Sequence, residues 1–232
     1  MITIQDKTLI DKSYWYMDRT TVNKSVEIEK SMLEFMNKDG EGDYSVTHNM
    51  IEELPSIYSY QLFKPEWCSK LIHEIKTCGV DMKANPDEDE LRQIPEFIFR
   101  EHSPQLMDLM SLVVREVITP LAFSVYGHDN LSIASVQVAH YNPKGKKAGA
   151  WHHDSSSDVT VVVPLNTGDY VGGGTEFWNQ GIIEPLPTGS ALMFPAGSAM
   201  HRGLAVHEGD RYLLVFWLYV KQRIPDLVNN LL

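Results

Sequence analysis

Residues 151–166 read WHHDSSSDVTVVVPLN and place a His-x-Asp motif directly before an apolar strand. His152 and Asp154 are two residues apart, so an extended backbone puts both side chains on one face. His201 follows 47 residues after Asp154, immediately before another strand-like stretch. Two imidazoles and one carboxylate from adjacent strands could form a facial triad around iron(II), which leaves coordination positions open.

Arg211 lies ten residues after His201, at the start of the most apolar stretch of the chain. A guanidinium buried there needs a partner, and its planar fork matches a carboxylate. A dicarboxylate that chelates iron at one end and binds Arg211 at the other would satisfy both groups, and 2-oxoglutarate has this form. A structural zinc site would instead close its coordination sphere, usually with thiolates, and neither cysteine lies near the motif.

Each of these residues also has an ordinary structural interpretation. A lone histidine is more often a surface or hydrogen-bonded residue, Asp154 could cap a turn, and Arg211 could form a structural salt bridge. His153 is expected to point to the opposite face, but it is the chief alternative to His152 if the segment is not extended. The ordered combination of His-x-Asp, strand, glycines, strand, histidine and arginine favours the metal site, because such a set rarely arises by chance.

The two parts of the chain have different secondary-structure patterns. Before residue 131, helical periodicity predicts helices over Val22–Met36, over Glu66–Cys78 after Pro65, and from Ser103 to near Gly127. After residue 131, strand-like stretches alternate with Gly, Pro and Asn. These stretches are Ser132–Tyr141, Val159–Leu165, Gly174–Trp178, Ser190–Phe194 and Arg211–Val220. The pattern predicts an α+β chain with a mainly β core and helices from the N-terminal half packed outside it.

We expect one domain over residues 1–232. Residues 1–55 are an extension of unknown role, residues 56–130 hold the supporting helices, and residues 131–221 form the metal-binding core. Residues 85–90, NPDEDE, are predicted to form a charged loop. The triple glycine at 172–174 has the wrong spacing for a phosphate loop and is expected at a tight strand entry.

Charge and composition exclude several classes of protein. The chain has 232 residues and a net charge of −11, yet residues 131–232 hold 7 basic and 8 acidic side chains. An acidic chain is poorly suited to a phosphate backbone, which argues against nucleic acid and for a small-molecule or peptide substrate. The apolar runs are too short for a transmembrane helix, and the first residues do not resemble a signal peptide. With Cys68 and Cys78 expected as reduced thiols, we predict a cytoplasmic protein; a monomer and a homodimer both fit.

The motifs of the second half resemble the iron(II)/2-oxoglutarate dioxygenases of the prolyl and lysyl hydroxylase type. The likeness is greatest to the C-terminal catalytic domain of the procollagen lysyl hydroxylases and covers about residues 57–220. It implies a double-stranded β-helix, or jelly-roll, with iron at one mouth. The segments that show it are Trp151–Ser156, Pro164–Asn166, Gly172–Phe177, Gly189–Pro195, His201–Leu204 and Gly209–Tyr212.

The resemblance also implies roles for individual residues. His152, Asp154 and His201 match the iron ligands of the family. Arg211 matches the residue that binds the distal carboxylate of 2-oxoglutarate, and Tyr141 resembles a tyrosine that lines the cosubstrate pocket.

One position departs from the family pattern. Pro164 stands where some prolyl hydroxylases have a second tyrosine in contact with 2-oxoglutarate. That contact must therefore come from another residue of this chain.

The resemblance implies a hydroxylase that acts on an amino acid or peptidyl side chain, lysine-like or proline-like, with succinate and CO₂ as coproducts. Ascorbate (vitamin C) is a candidate cofactor. The presence of Asp154 argues for hydroxylation over halogenation, which needs that ligand position for chloride. The acidic N-terminal half makes a cationic substrate such as lysine the specific expectation. Two alternatives remain open: a non-catalytic, cupin-like module that binds a metal or ligand, and a nucleobase-directed dioxygenase.

Overall fold

The computed structural model describes Leu9, residues 50–84 and residues 94–221. The helix predicted over Val22–Met36, the loop at 85–90 and most of the extension at 1–55 lie outside these residues.

The described parts of the chain contain a few helices and many strands. The helices are α1 (Pro65–Thr77), α2 (Phe99–His102), α3 (Pro104–Val113) and α4 (Thr119–Tyr126), with a π-helical turn at Val114–Ile118 between α3 and α4. The first strands are β1 (Ile51–Leu54), β2 (Ile57–Gln61), β3 (Lys83–Ala84), β4 (Pro95–Ile98), β5 (Leu131–Tyr141) and β6 (Val159–Pro164). The later strands are β7 (Tyr170–Gly172), β8 (Thr175–Phe177), β9 (Gly181–Ile183), β10 (Ser190–Pro195), β11 (His201–Gly203), β12 (Val206–Gly209) and β13 (Arg211–Val220).

Eight strands form the main sheet, in the order β1-β2-β10-β6-β13-β5-β4-β3. All of its strand pairs are antiparallel, and β13 lies between β5 and β6. Alternate residues of β13 point to opposite faces. Leu214 and Phe216 belong to the core on the helix side, whereas Leu213 and Val215 belong to a separate cluster on the other face. Strand β13 is therefore buried on both faces.

Two small sheets cover the face of the main sheet that is turned away from the helices. One has the order β11-β8-β9, and the other pairs β12 with β7. Phe177 of β8 packs with Phe194 of β10, and Val206 of β12 packs with Leu213 of β13. The result is a mainly β core of two layers, with helices against the outer face of the main sheet.

Local sequence explains how the helices begin and end. Pro65 opens α1 and Pro104 opens α3, at positions where the missing N–H costs nothing. The Ser103 hydroxyl accepts a hydrogen bond from the Leu106 N–H at 3.4 Å and so caps the N-terminus of α3. Gly127 ends α4 with a φ of +75°, a left-handed conformation that favours glycine.

The helical region from Ser103 to Gly127 has the predicted extent, but it is not one regular helix. Within it, the Thr119 N–H bonds to the Val114 carbonyl, five residues earlier, in the π turn. Pro120 follows directly and has no N–H to continue the α-helical pattern. The periodicity of the apolar residues does not reveal such a turn, because the apolar stripe continues through it.

The short strands β1, β3, β4, β7, β9, β11 and β12 and the four-residue helix α2 were not predicted. Strands of two to four residues are too short for apolar alternation to separate them from loops. None of the described helices has the length and apolarity needed to span a membrane.

Truncating the centre of β13 tests the proposed core. Phe216 is fully buried between the sheet and the helices, so Phe216→Ala is expected to lower the free energy of unfolding by about 3 to 5 kcal/mol. Tyr219→Ala is the control, because Tyr219 lies on the same strand and is 39% exposed. Urea denaturation compares the two variants, and equal losses would contradict the assigned core.

Candidate metal centre

The structure brings His152, Asp154 and His201 together at one end of the two-layered core. One ligand atom from each residue lies within 4.8 Å of the others. His152 Nε2 is 3.3 Å from Asp154 Oδ1, and His201 Nε2 is 3.8 Å from Asp154 Oδ2. Two imidazoles and a carboxylate that converge in this way suit an iron(II) site with open coordination positions.

Backbone pairing holds the two histidines side by side. His152 and His201 form an antiparallel bridge in which each N–H donates to the other residue's carbonyl at 3.0 Å. His201 begins β11, whereas His152 lies outside the named strands. The two residues are therefore neighbours through a single bridge, and not through two adjacent strands as predicted. His153 is exposed and is not part of the three-residue group.

Neighbouring groups fix the orientation of all three side chains. Nδ1 of His152 lies 2.8 Å from the Ala150 carbonyl, and Nδ1 of His201 lies 2.9 Å from the Ala199 carbonyl. A carbonyl only accepts, so each Nδ1 carries the proton and each Nε2 is the atom directed at Asp154. The Thr160 hydroxyl donates to Asp154 Oδ2 at 2.6 Å.

The environment favours the protonation states that bind a metal. Burial alone would raise the pKa of Asp154, but its interactions with His152 and His201 and the hydrogen bond from the Thr160 hydroxyl lower it below its ordinary value. Burial lowers the pKa of His201, despite the opposing effect of Asp154. An ionised carboxylate and a neutral imidazole are the forms required for coordination.

A cavity of about 520 Å³ opens beside His152 and Asp154. The main sheet contributes Glu96, Gln137 and Trp217 to its walls. The Gln137 amide donates a hydrogen bond to the Glu96 carboxylate. The described lining includes two carboxylates but no lysine or arginine, so the chemistry of the cavity suits a neutral or cationic group.

Arg211 lies in the core between the two layers, with only 3% of its surface exposed. It is paired across the sheet with Tyr141 of β5. Its guanidinium carbon is 5.6 Å from the centre of the Tyr141 ring and 5.9 Å from that of Tyr170. Among the described residues, Arg211 Nε and Nη1 have no hydrogen-bond partner, and no acidic side chain forms an ion pair with Arg211. A buried guanidinium in this state fits an anionic ligand.

The sequence predicted neither Thr160 nor Tyr170 as part of the site. Thr160 lies in the apolar run VTVVV, and Tyr170 lies just before the triple glycine. Thr160 contacts Asp154 across the turn at 154–157, and Tyr170 meets Arg211 from another strand. The only signal in the sequence is that each lies close to a motif of the site.

Removing the Thr160 hydroxyl tests how Asp154 is held. Thr160→Val keeps the side-chain shape but removes the donor to Asp154, and we expect the dissociation constant for iron(II) to rise about tenfold. Anaerobic competition with a chelator measures it. Thr119→Val is the control, because the Thr119 hydroxyl is also buried but has no partner among the described residues, and it lies at the start of α4. Equal affinity in both variants would contradict the role of Thr160.

No protein-family profile matches the chain. It is 24% identical over 204 residues to human procollagen-lysine,2-oxoglutarate 5-dioxygenase 2, a match that covers 83% of this chain and 28% of that protein. The chain therefore spans less than a third of that relative's length. The chain is also similar to the viral collagen prolyl hydroxylase of Paramecium bursaria Chlorella virus-1, which was solved as its 2-oxoglutarate complex. The two are 20% identical with a TM-score of 0.52, and the match covers 70% of this chain and 95% of that one.

The chain has the fold of the 2-oxoglutarate/iron(II) oxygenases. A prolyl hydroxylase from Trichoplax adhaerens, solved with a peptide of hypoxia inducible factor, has a TM-score of 0.57 at 12% identity and covers 88% of this chain and 94% of that one. The resemblance to lysyl and prolyl hydroxylases predicted from the motifs is thus confirmed. The residues present also fit the groups that this family uses, since His152, Asp154 and His201 supply iron donors and Arg211 supplies buried donors for a carboxylate.

Proposed function

We propose that this chain is an iron(II)- and 2-oxoglutarate-dependent oxygenase that hydroxylates a C–H bond of an amino acid or peptidyl side chain. The observation that supports it most directly is the combination of a two-histidine, one-carboxylate centre with a buried arginine whose donors have no partner. Either feature alone has a structural explanation. Together they provide for both the metal and a dicarboxylate cosubstrate.

His152, Asp154 and His201 would hold the iron, and Arg211 with Tyr141 would hold 2-oxoglutarate. When bound, these groups supply the oxidising power that inserts one oxygen atom of O₂ into a C–H bond and converts 2-oxoglutarate to succinate and CO₂. The chain's own residues bind and orient these groups and the substrate, and they exclude water from the site. Leu213 and Val215 form an apolar wall next to Arg211, which strengthens its attraction for a carboxylate.

The main sheet and the two small sheets together support a double-stranded β-helix as the core. We place the metal-binding core at residues 131–221 of a single domain, with supporting helices at 56–130 and an extension at 1–55. The free thiols of Cys68 and Cys78 support a cytoplasmic location.

A lysine-like or proline-like side chain is the substrate class we propose. The human relative is named for its action on procollagen lysine, and the Trichoplax enzyme was solved with a peptide. Glu96 in the lining of the large cavity is compatible with a cationic side chain, because Asp154 is taken up by the metal. A peptide in an extended conformation could present one side chain to this cavity while its backbone stays outside.

Turnover with candidate substrates tests the proposal. The protein is incubated with iron(II), 2-oxoglutarate, ascorbate and air, together with free amino acids and lysine- or proline-containing peptides. We expect substrate-dependent succinate release and a product heavier by one oxygen atom in the mass spectrum. Binding of 2-oxoglutarate without turnover across this panel and a cell extract would favour the non-catalytic module instead.

A further inference from the structure

Tyr170 has a buried hydroxyl group that no described residue satisfies. It begins β7 and packs in the apolar cluster with Tyr141, Val206 and Leu213. Its hydroxyl oxygen has no hydrogen-bond partner. Buried polar groups in native proteins are almost always paired, so each exception requires an explanation.

The unsatisfied donors of Arg211 lie beside this cluster. Tyr170 and Arg211 come from different strands, and the guanidinium carbon lies 5.9 Å from the Tyr170 ring centre. Three donors therefore lie in one water-poor region without an acceptor: the hydroxyl, Nε and Nη1. A carboxylate offers about four acceptor positions on two oxygens and can accept from the Tyr170 hydroxyl and from one edge of the guanidinium together.

Gly173 allows Tyr170 and Arg211 to approach the same point. A Cβ at Gly173 would lie 3.1 Å from Tyr170 Cε2 and 3.2 Å from Arg211 Cδ, both tighter than ordinary contacts. Its φ of +80° also favours glycine. The second glycine of the triple-glycine motif thus leaves room for both side chains.

We infer that the Tyr170 hydroxyl donates a hydrogen bond to the distal carboxylate of 2-oxoglutarate, alongside Arg211. This inference rests on the proposed function. It assigns the contact that Pro164 cannot provide, because proline has no side-chain donor. Of the two tyrosine rings next to Arg211, only that of Tyr170 has a hydroxyl that is fully buried and unpaired among the described residues.

Tyr170→Phe removes this hydroxyl and keeps the ring. Calorimetry on the Mn(II)-loaded chain of 232 residues measures binding of 2-oxoglutarate without turnover. We expect the dissociation constant to rise about tenfold, as for the loss of one hydrogen bond to a charged group. Tyr60→Phe is the matched control, because the Tyr60 hydroxyl is equally buried and unpaired but lies in the helix-side core. Its affinity should equal that of the wild type.

A second ligand shows whether the Tyr170 hydroxyl acts on the distal carboxylate of the cosubstrate. 2-Oxopentanoate has the same 2-oxo acid group as 2-oxoglutarate but no distal carboxylate. We expect Tyr170→Phe and the wild-type protein to bind it equally. Should Tyr170→Phe not fold, 3-fluorotyrosine at position 170 provides a second measurement, with a fluorine NMR shift expected on addition of 2-oxoglutarate and not of 2-oxopentanoate.

The outcomes separate this inference from the proposed function. If the wild type binds 2-oxoglutarate and Tyr170→Phe binds it equally well, the role of Tyr170 is overturned while the proposed function stands. A variant that loses both ligands equally also overturns it, because the effect is then not at the distal carboxylate. A wild-type protein that binds no 2-oxoglutarate overturns both.

Discussion

Replacing Asp154 by alanine is expected to abolish iron binding and substrate-dependent succinate release. Asp154 is the only acidic member of the three-residue group and contacts both histidines, at 3.3 and 3.8 Å. Loss of a partner that only orients a ligand typically costs 10- to 100-fold in metal affinity, so loss of the ligand itself should cost at least about 100-fold. Iron content after anaerobic dialysis and a chelator titration measure the change.

His153→Ala is the control for this experiment. His153 is adjacent in sequence and exposed, and it lies outside the three-residue group. We expect it to retain iron with wild-type affinity, whereas His152→Ala loses it. Iron retention by the Asp154 variant, or loss of iron in His153→Ala but not in His152→Ala, would show that the ligand set is different.

Replacing Arg211 by alanine should leave iron binding intact and remove 2-oxoglutarate binding. The guanidinium offers two unpaired, buried donors, and a hydrogen bond to a charged group is worth about 1.5 to 3 kcal/mol. The dissociation constant for 2-oxoglutarate should therefore rise by at least about 100-fold. Arg211→Lys should recover only part of the affinity, because lysine lacks the planar fork.

Arg202→Ala serves as the control for Arg211. Arg202 lies on β11 near the metal centre but is half-exposed and bound to Glu176 at 2.6 Å. Calorimetry should show unchanged 2-oxoglutarate affinity in this variant. If Arg211→Ala also binds 2-oxoglutarate normally, the chain is better explained as a metal-binding module of the cupin kind.

Much of the fold and of the metal site could be predicted because short sequence patterns indicate them directly. The strand at 211–220 is apolar on both faces, which predicts a buried position. The two-residue spacing of His152 and Asp154 predicts that both side chains lie on one side of the backbone. The partners of these residues could not be predicted in the same way. Thr160 reaches Asp154 only because the chain turns at residues 154–157, and Tyr170 reaches Arg211 from a strand 41 residues away, neither of which follows from residue spacing.

The departures from prediction have similar causes. The short strands β7, β9, β11 and β12 exist because they pair over the inner face of the main sheet, not because of their own propensity. The π turn at 114–118 lies just before Pro120, which has no N–H to donate. How the backbone of the helical region rearranges its hydrogen bonds around this proline does not follow from the apolar periodicity.

The bridge between His152 and His201 has a consequence for the exchange of protein hydrogens with solvent. Both amide protons are engaged in that bridge, so they should exchange slowly with deuterated water even before any metal is added. The imidazoles are then positioned by the main chain in advance, and no segment has to fold around the ion. Metal uptake at such a preassembled centre costs little conformational entropy, and its rate should be set by diffusion and by loss of water from the ion.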